Sequence, residues 1–260
     1  MAEAIPHRWP IGCRVLATDL LAHGVERFLA MRMDTLQPSY GDALQVSDGA
    51  IADLRHVLRA LPAQTASVGW SGPAVWNFSE GPTTLGLGNA ETRTERLRGW
   101  MRALEINAEL QIPLLQTHFG FVPEEPQSPL YAMYVDALRR LARRGASLGV
   151  TFCLETGQET PVTLRRLLVD CGETNVGANL DTANLLMYGK GNPTDAVDVL
   201  GGWIRSLHIK DGDYPLQDSY TLGLEFQVGK GRVDFPAVFA KLRAHAFQGP
   251  LIIEREISGP

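Results

Sequence analysis

Short runs of hydrophobic residues alternate along the chain with longer segments in which hydrophobic positions recur every three or four residues. The short runs have the length and composition of buried strands, and the longer segments have the spacing of amphipathic helices. This alternation is typical of β/α units, in which helices join parallel strands. The predicted strands are Ile11–Val15, Thr35–Tyr40, Ala66–Trp70, Pro113–Thr117, Val150–Leu154, Asn175–Leu180, Trp203–Ile209 and Leu251–Glu254.

The helices between these strands are predicted from the same periodicity and from residues that favour helix starts. Ser47 and Asp48 can cap a helix that runs to about Leu61, and Asp234 can cap one over 236–245. Thr160 is followed by proline, which is favoured at the first helical position. The remaining helical segments are Leu20–Met31, Glu91–Ile112, Tyr131–Leu148, Pro161–Val169 and Asp195–Leu200.

Eight strands joined by helices predict an α/β fold, a (β/α)8 TIM barrel, and 260 residues is a typical length for one such barrel. No linker or break in composition divides the chain, so we expect a single domain over residues 1–260. The sequence ends shortly after the eighth strand, so we expect the final C-terminal helix to be lacking. Strand surface left uncovered in this way would favour a homo-oligomer, with a hetero-oligomer as the alternative.

Composition and charge limit the classes of binding partner and the cellular compartment that we expect. The net charge is −5 and no lysine or arginine cluster stands out, so nucleic acid is not an expected partner. The three cysteines have no C-x-x-C spacing, which fits a reducing compartment. We find no secretion signal and no apolar run of membrane-spanning length, so we expect a cytoplasmic protein that does not bind membranes.

Four strands in the second half of the chain end on side chains that can bind a metal. Gaps of roughly 25 to 45 residues separate them, about the length of one strand and one helix. The carboxyl ends of all barrel strands open onto one face, so these side chains can converge there. Two glutamates, an aspartate and a histidine would form a mixed oxygen and nitrogen site for a divalent ion. The four residues are Glu155, Asp181, His208 and Glu254.

Side chains two positions apart on a strand share a face, and this defines a set of inward-facing residues on each of these strands. A single glutamate at a strand end is usually solvated or caps a helix, and a single histidine usually packs. The repetition in successive units favours a metal site instead. The four sets are Cys153 with Glu155, Asn179 with Asp181, Ser206 with His208 and Lys210, and Ile252 with Glu254 and Glu256.

Four further residues are candidates for contact with a substrate. His118 follows strand four at the mouth of the barrel, where it has either a substrate or acid/base role or a hydrogen bond at the rim. Lys210 shares a face with His208 and could bind a substrate oxygen or form a salt bridge. Glu256 extends the face of Glu254, and Trp70 could form an apolar wall beside a sugar. The long loop over 212–228 has the length of a lid.

Five short motifs occur together in order, and with them the chain resembles the xylose isomerase-like TIM barrel superfamily, in its sugar (phosphate) isomerase/epimerase branch. That branch includes ketose 3-epimerases, hydroxypyruvate isomerases and inosose dehydratases. The resemblance covers about residues 110–258. The motifs are Leu154-Glu155-Thr156-Gly157, Asn179-Leu180-Asp181-Thr182-Ala183-Asn184, Leu207-His208-Ile209-Lys210-Asp211, Val228-Gly229-Lys230-Gly231-Arg232-Val233-Asp234-Phe235 and Gly249-Pro250-Leu251-Ile252-Ile253-Glu254.

The resemblance implies that Glu155, Asp181, His208 and Glu254 hold one divalent cation, manganese first, with cobalt, magnesium or zinc as alternatives. It also implies that Glu155 and Glu254 act as an acid/base pair on a small-molecule sugar. The metal would polarise substrate oxygens and stabilise an enediolate. One carboxylate would remove a proton and the other would return it.

One position departs from the pattern of many relatives. They carry histidine three residues after the aspartate, where it contacts substrate or a second metal, and here that residue is Asn184. Asparagine forms hydrogen bonds but is a poor ligand for transition metals. We therefore expect Asn184 to bind substrate, and we do not expect a centre with several zinc ions.

Three hypotheses about function follow. The first is a metal-dependent isomerase or epimerase of a ketose or related sugar. The second is a lyase that uses the same site, either a dehydratase or an enzyme that cleaves 3-keto-glycosides. The third is a barrel that binds sugar without catalysis, as one subunit of a hetero-oligomer.

Overall fold

Eight parallel strands form a closed barrel, as the sequence predicted. The computed structural model describes residues 8–61, 67–69, 85–217 and 221–257. The barrel order is β1-β10-β7-β6-β5-β4-β3-β2, and β8 and β9 pair with each other outside it. The strands are β1 Ile11–Leu16, β2 Thr35–Ser39, β3 Ser67–Gly69, β4 Leu114–Thr117, β5 Thr151–Glu155, β6 Val176–Asp181, β7 Ile204–Ile209, β8 Asp211–Gly212, β9 Glu225–Phe226 and β10 Leu251–Ile253.

Helices surround the barrel, and most of the longer ones begin at a residue whose side chain accepts a backbone N–H of the first turn. The capping residues are Ser47, Asn89, Ser128, Thr160, Asn192 and Asp234. The helices are α1 Ala17–His23, α2 Glu26–Ala30, α3 Asp48–Leu58, α4 Ala90–Leu110, α5 Pro129–Leu148, α6 Pro161–Cys171, α7 Asn184–Met187, α8 Pro193–Leu200 and α9 Phe235–Ala244.

Two local predictions differ from the structure. The helical segment predicted over Leu20–Met31 is two short helices, α1 and α2, because the chain turns at Gly24. Gly24 has φ +66° and donates its N–H to Leu20 O at 2.9 Å, a conformation that ends a helix and favours glycine. The loop after β7, predicted only as long, contains the β8–β9 pair.

The hydrophobic core lies between the barrel and its helices. Strand residues that face outward, including Leu115, Phe152 and Leu207, are fully buried against the helices. Trp100 of α4 packs against Phe152 and donates its indole N–H to Thr117 Oγ1 at 3.2 Å, which joins α4 to the end of β4. The outer layer therefore holds the strand ends in place at the mouth of the barrel.

No helix follows β10 in the described residues, which extend to 257. Ile253 on the outer side of β10 is 39% exposed, and its neighbour Cys13 on β1 is partly exposed. Trp9, just before β1, packs against Phe239 and donates its indole N–H to Phe247 O at 2.8 Å. Within the described part of the chain, no helix is both long and apolar enough to cross a membrane.

Candidate metal centre

The four predicted ligands converge at the carboxyl end of the barrel. Their ligand atoms all lie within 4.8 Å of one another, and all four residues are buried. Nδ1 of His208 lies 3.1 Å from Glu155 Oε1, 3.1 Å from Glu254 Oε2 and 3.6 Å from Asp181 Oδ2. Three carboxylates therefore surround one imidazole nitrogen.

Strand register places these side chains at one level of the barrel. Asp181 of β6 is opposite His208 of β7, and His208 is opposite Ile252 of β10, two residues before Glu254. Glu155 ends β5 and is opposite Asn179 of β6. Because inward-facing residues alternate along each strand, the register brings all four ligands into one layer at the mouth.

The second carboxylate oxygen of Asp181 is a candidate ligand for a cation in this cluster. Asp181 Oδ1 accepts the N–H groups of Ala183 and Asn184 at 2.8 and 2.7 Å. Asp181 Oδ2 is buried and has no hydrogen-bond partner among the described residues. An unsatisfied buried oxygen is costly, and a bound divalent ion would satisfy it. Three carboxylates and one imidazole form a donor set that suits such an ion.

Burial and neighbouring charge act in opposite directions on the two glutamates. Burial would raise the pKa of Glu254, but the adjacent His208 and Lys210 outweigh it and hold that pKa well below its usual value. Burial would likewise raise the pKa of Glu155, yet His118 and His208 lower it. Both glutamates are therefore held as carboxylates, the form that binds a cation or accepts a proton.

Asp181 and His208 show the same competition. For Asp181 burial is the larger influence, and its pKa is raised even though Lys210 and His208 act to lower it. For His208 burial would lower the pKa, but the surrounding Glu254 and Glu155 raise it well above its usual value. Without a bound cation, the carboxylates of the cluster are therefore balanced by protons and by neighbouring positive groups, His208 among them.

Lys210 lies inside the same group of acidic residues. Its Nζ is 3.4 Å from Glu254 Oε2, 3.4 Å from Asn184 Oδ1 and 3.9 Å from Asp181 Oδ2, and it forms an ion pair with Glu256. Burial would lower the pKa of Lys210, but the carboxylates, Asp181 first, raise it well above its usual value. The ammonium group is therefore a fixed positive charge beside the predicted metal site.

Asn184 connects Lys210 to one of the glutamates. It donates from Nδ2 to Glu155 Oε1 at 3.3 Å, and its Oδ1 faces the Lys210 ammonium group. Asn184 therefore bridges a carboxylate and an ammonium group in this structure.

His118 lies at the rim of the site and is one quarter exposed. Its Nε2 is 3.5 Å from Glu155 Oε1, and its Nδ1 is 3.0 Å from Nε2 of the buried Gln158. Glu155 thus faces His118 on one side and His208 on the other. His118 is placed to contact a molecule that enters the site from solvent.

A cavity of about 230 Å³ lies above the cluster. Its volume suits a molecule of monosaccharide size. Trp70, predicted to form an apolar wall beside a sugar, lies outside the described residues. The cavity lining includes Arg14, His118, Asn184, Met187, Tyr188 and Glu256.

The buried carboxylate of Asp211 accepts hydrogen bonds from the loop that contains Gly229 and Gly231. Asp211 Oδ2 accepts the N–H groups of Gly229 and Gly231, each at 2.9 Å, and Oδ1 accepts those of Gly212 and Val233. These four amides are therefore already bound within the protein. This loop does not present them to an anion.

Several polar residues of the site were not predicted from the sequence. Gln37 of β2 and Gln116 of β4 both contact Nε2 of His208, and Arg14 of β1 pairs with Glu254 at 3.4 Å. The sequence contains a pattern from which Gln37 could have been predicted, because polar residues occupy alternate positions of an otherwise buried strand. The pairing of Arg14 with Glu254 depends on closure of the barrel, and no local pattern predicts it.

Glu159, four residues after Glu155, is buried, and burial raises its pKa to about 8. The folded protein therefore binds a proton that the unfolded chain releases near 4.5, so stability falls as the pH rises from about 4.5 to about 8. We expect Glu159→Gln to be more stable than wild type by a few kcal/mol at pH values above this window. Below the window the two should be similar. Thermal unfolding of the metal-free proteins across this pH range measures the difference in stability between the variant and wild type. A difference that does not change with pH would contradict the raised pKa of Glu159.

Known proteins share this architecture. The fold is a closed parallel β/α barrel with a buried carboxylate and histidine cluster at the carboxyl ends of its strands. A family model described as xylose isomerase-like TIM barrel matches residues 22–259. The chain therefore belongs to the xylose isomerase-like TIM barrel family. A search of curated proteins found no significant match.

Solved structures share the fold. A xylose isomerase domain protein from Planctomyces limnophilus is 29% identical, with a TM-score of 0.87 over 96% of this chain and 89% of that one. A D-psicose 3-epimerase in the presence of D-fructose is 18% identical, with a TM-score of 0.71 over 96% and 86%. The apo form of a 3-keto-D-glucoside 4-epimerase from E. coli is 20% identical, with a TM-score of 0.72 over 97% and 94%. At these identities the two epimerases show similarity of fold alone.

Proposed function

We propose that this protein is a divalent-metal-dependent isomerase or epimerase of a ketose or a related small sugar. The observation that carries the proposal is a pair of buried glutamates, Glu155 and Glu254, each 3.1 Å from Nδ1 of His208 below a cavity of monosaccharide size. The sugar epimerases among the proteins of similar fold support the same class of reaction.

We assign the metal to Glu155, Asp181, His208 and Glu254. A divalent ion held there would polarise the carbonyl and the adjacent hydroxyl oxygen of a bound sugar. Manganese is our first choice, with cobalt, magnesium or zinc as alternatives, because the mixed oxygen and nitrogen donors accept each of them. Asp181 Oδ2, which is buried and accepts no hydrogen bond among the described residues, supports this assignment.

Glu155 and Glu254 reach the centre from two strands that are well separated around the barrel. Glu155 ends β5 and Glu254 follows β10, and β6 and β7 lie between those strands in the barrel. One carboxylate removes a proton from the carbon next to the carbonyl, which leaves an enediolate. The other returns a proton to the opposite face of that carbon, or to the neighbouring carbon in an isomerisation. Their lowered pKa values keep both ionised before substrate binds.

The remaining candidates surround this proton transfer. The Lys210 ammonium group is placed to stabilise negative charge that develops on a substrate oxygen. Asn184 and Glu256, which both line the cavity, offer hydrogen bonds to sugar hydroxyls. His118 either exchanges a proton with a substrate oxygen or orients it. Trp70 remains a predicted substrate contact.

The polar groups at the rim of the cavity favour a substrate sugar without a phosphate group. The amides of Gly229 and Gly231 are bound to Asp211, and Arg14 and Lys210 are paired with carboxylates. Among these groups, the described part of the cavity therefore has no free cluster of amides and no unpaired cation that could bind a phosphate. A hydroxyl can share the existing carboxylate contacts.

A lyase on the same site is the second candidate, and the position of His118 favours it. Loss of a group next to the enediolate needs an acid that protonates the departing oxygen. His118 lies 3.5 Å from Glu155 and is partly exposed toward the cavity, where it could serve as this acid. Release of water or of an aglycone would then accompany proton removal.

Incubation in heavy water separates these reactions. Protein loaded with manganese is mixed with D-fructose, D-psicose, their phosphates and a 3-keto-glucoside, and deuterium incorporation is followed by NMR. We expect deuterium on the carbon next to the carbonyl of a sugar without phosphate, with an epimer or isomer as product. Elimination product in place of exchange would favour the lyase, and no exchange with any probe would count against the proposal.

A further inference from the structure

A buried polar network lies directly beneath the candidate metal centre. Nε2 of His208 lies 2.8 Å from Gln37 Oε1 on one side and 2.7 Å from Gln116 Nε2 on the other. Ser206 Oγ lies 3.5 Å from Gln116 Oε1 and donates to Asn179 Oδ1 at 2.7 Å. All five side chains are fully buried, so the hydrogen bonds that they form are with other protein groups, and Gln37 Nε2 and Asn179 Nδ2 have no partner in the described part of the chain.

The two contacts at Nε2 impose opposite demands on the histidine. A metal ion bound at Nδ1 requires the hydrogen of a neutral ring to be on Nε2. That N–H can donate to Gln37 Oε1. The Gln116 Nε2 that faces it is also a donor, and two donors 2.7 Å apart cannot form a hydrogen bond with each other.

Reversal of the Gln116 amide removes the conflict. The oxygen and nitrogen of a glutamine amide occupy equivalent positions, and their assignment follows from the hydrogen bonds. With Oε1 toward His208, Gln116 accepts the Nε2 hydrogen together with Gln37. Its Nε2 then faces Ser206 Oγ, and the Ser206 hydroxyl donates onward to Asn179 Oδ1. The hydrogen bonds then run in one direction, from His208 through Gln116 and Ser206 to Asn179.

We propose that Gln37 and Gln116 are positioning residues of the metal centre. Both accept the Nε2 hydrogen of His208, and they thereby hold the ring in the tautomer and orientation that leave Nδ1 free for a divalent ion. This inference rests on the metal centre of the proposed function and adds the residues that determine its affinity. Loss of such a partner of a metal-bound histidine typically lowers metal affinity about 10- to 100-fold.

The two glutamines have different tasks, and this difference can be tested. Gln37 Nε2 has no hydrogen-bond partner in the described part of the chain, so Gln37 needs only to accept. Gln116 must accept from His208 and also donate to Ser206. A carboxylate accepts but does not donate. Glutamate should therefore replace Gln37 in function but should not fully replace Gln116.

Cobalt is the probe because its visible absorption reports on the ligands that surround it. Chelator-stripped wild type, Gln37→Leu, Gln37→Glu, Gln116→Leu and Gln116→Glu are titrated with cobalt, and thermal unfolding of each metal-free protein is recorded. Gln45→Leu, the same change at an exposed position, is the control. We expect both leucine variants to bind cobalt about 10- to 100-fold more weakly than wild type. Gln37→Glu should bind close to wild type, and Gln116→Glu should be weaker than Gln37→Glu.

The outcomes separate the positioning role of the two glutamines from the metal centre itself. Folded leucine variants with wild-type cobalt affinity would overturn the positioning role and leave the metal centre intact. Gln37→Glu as weak as Gln37→Leu would also overturn it, since packing alone would then explain the loss. If a leucine variant does not fold, the comparison of the two glutamate variants decides. A wild type that binds no cobalt, manganese or magnesium would overturn the proposed metal centre itself.

Discussion

Glu254→Gln and Glu155→Gln should each lower the rate at which one epimer of the sugar is converted into the other by about 10²- to 10⁴-fold, the usual contribution of a positioned acid or base. Glutamine keeps the size of the side chain and an oxygen for the metal, but it does not accept the substrate proton. The measurement is deuterium incorporation by NMR at saturating manganese, so that weaker metal binding does not limit the rate.

The pattern between the two variants is as informative as the size of the loss. If the glutamates act on opposite faces, each variant should retain slow exchange from one epimer only, and the two variants should retain different epimers. Glu173→Gln, at a surface ion pair with Arg143, is the matched control and should exchange at the wild-type rate. Equal residual exchange from both epimers in both variants would argue against two bases.

Lys210→Met should lower the free energy of unfolding of the metal-free protein by about 3–5 kcal/mol, the typical cost when one partner of a buried ion pair is removed. Its ammonium group is a buried positive charge that faces Asp181, Glu254 and Glu256. Manganese should restore part of the loss, because a ligand that binds only the folded state stabilises it by mass action. Chemical denaturation with and without manganese measures both effects.

Lys241→Met is the matched control for this substitution. Lys241 of α9 forms a partly exposed ion pair with Asp198 of α8. Such pairs contribute about 0–1 kcal/mol, so the control should be close to wild type with or without manganese. A loss in Lys210→Met no larger than in Lys241→Met would show that Lys210 is not needed to balance the carboxylates.

Sequence patterns predicted the barrel because its units repeat. Each strand is short and apolar on its outer face, and each helix carries a recognisable start, such as Ser47 or Thr160 with its following proline. The alternation also predicted which side chains face inward. His208 contacts Glu155 and Glu254 because all three follow that rule at the ends of their strands.

The contacts that depend on barrel closure could not be predicted. Arg14 and Gln37 lie in the first two strands, far in sequence from the ligands, and they reach Glu254 and His208 only because β1 pairs with both β2 and β10. The break at Gly24 was missed for a different reason. Helical periodicity continues across it, and only the positive φ of that glycine ends the first helix.

The most direct test of the metal centre is a manganese titration of chelator-stripped wild type beside Asp181→Ala and His208→Ala. We expect one tightly bound ion per chain in the wild type and loss of that ion in both variants, although the two residues come from different strands. Circular dichroism confirms that each protein is folded. A folded wild type that binds no manganese, cobalt, magnesium or zinc would contradict the metal-dependent reaction and would favour a barrel that binds sugar without catalysis.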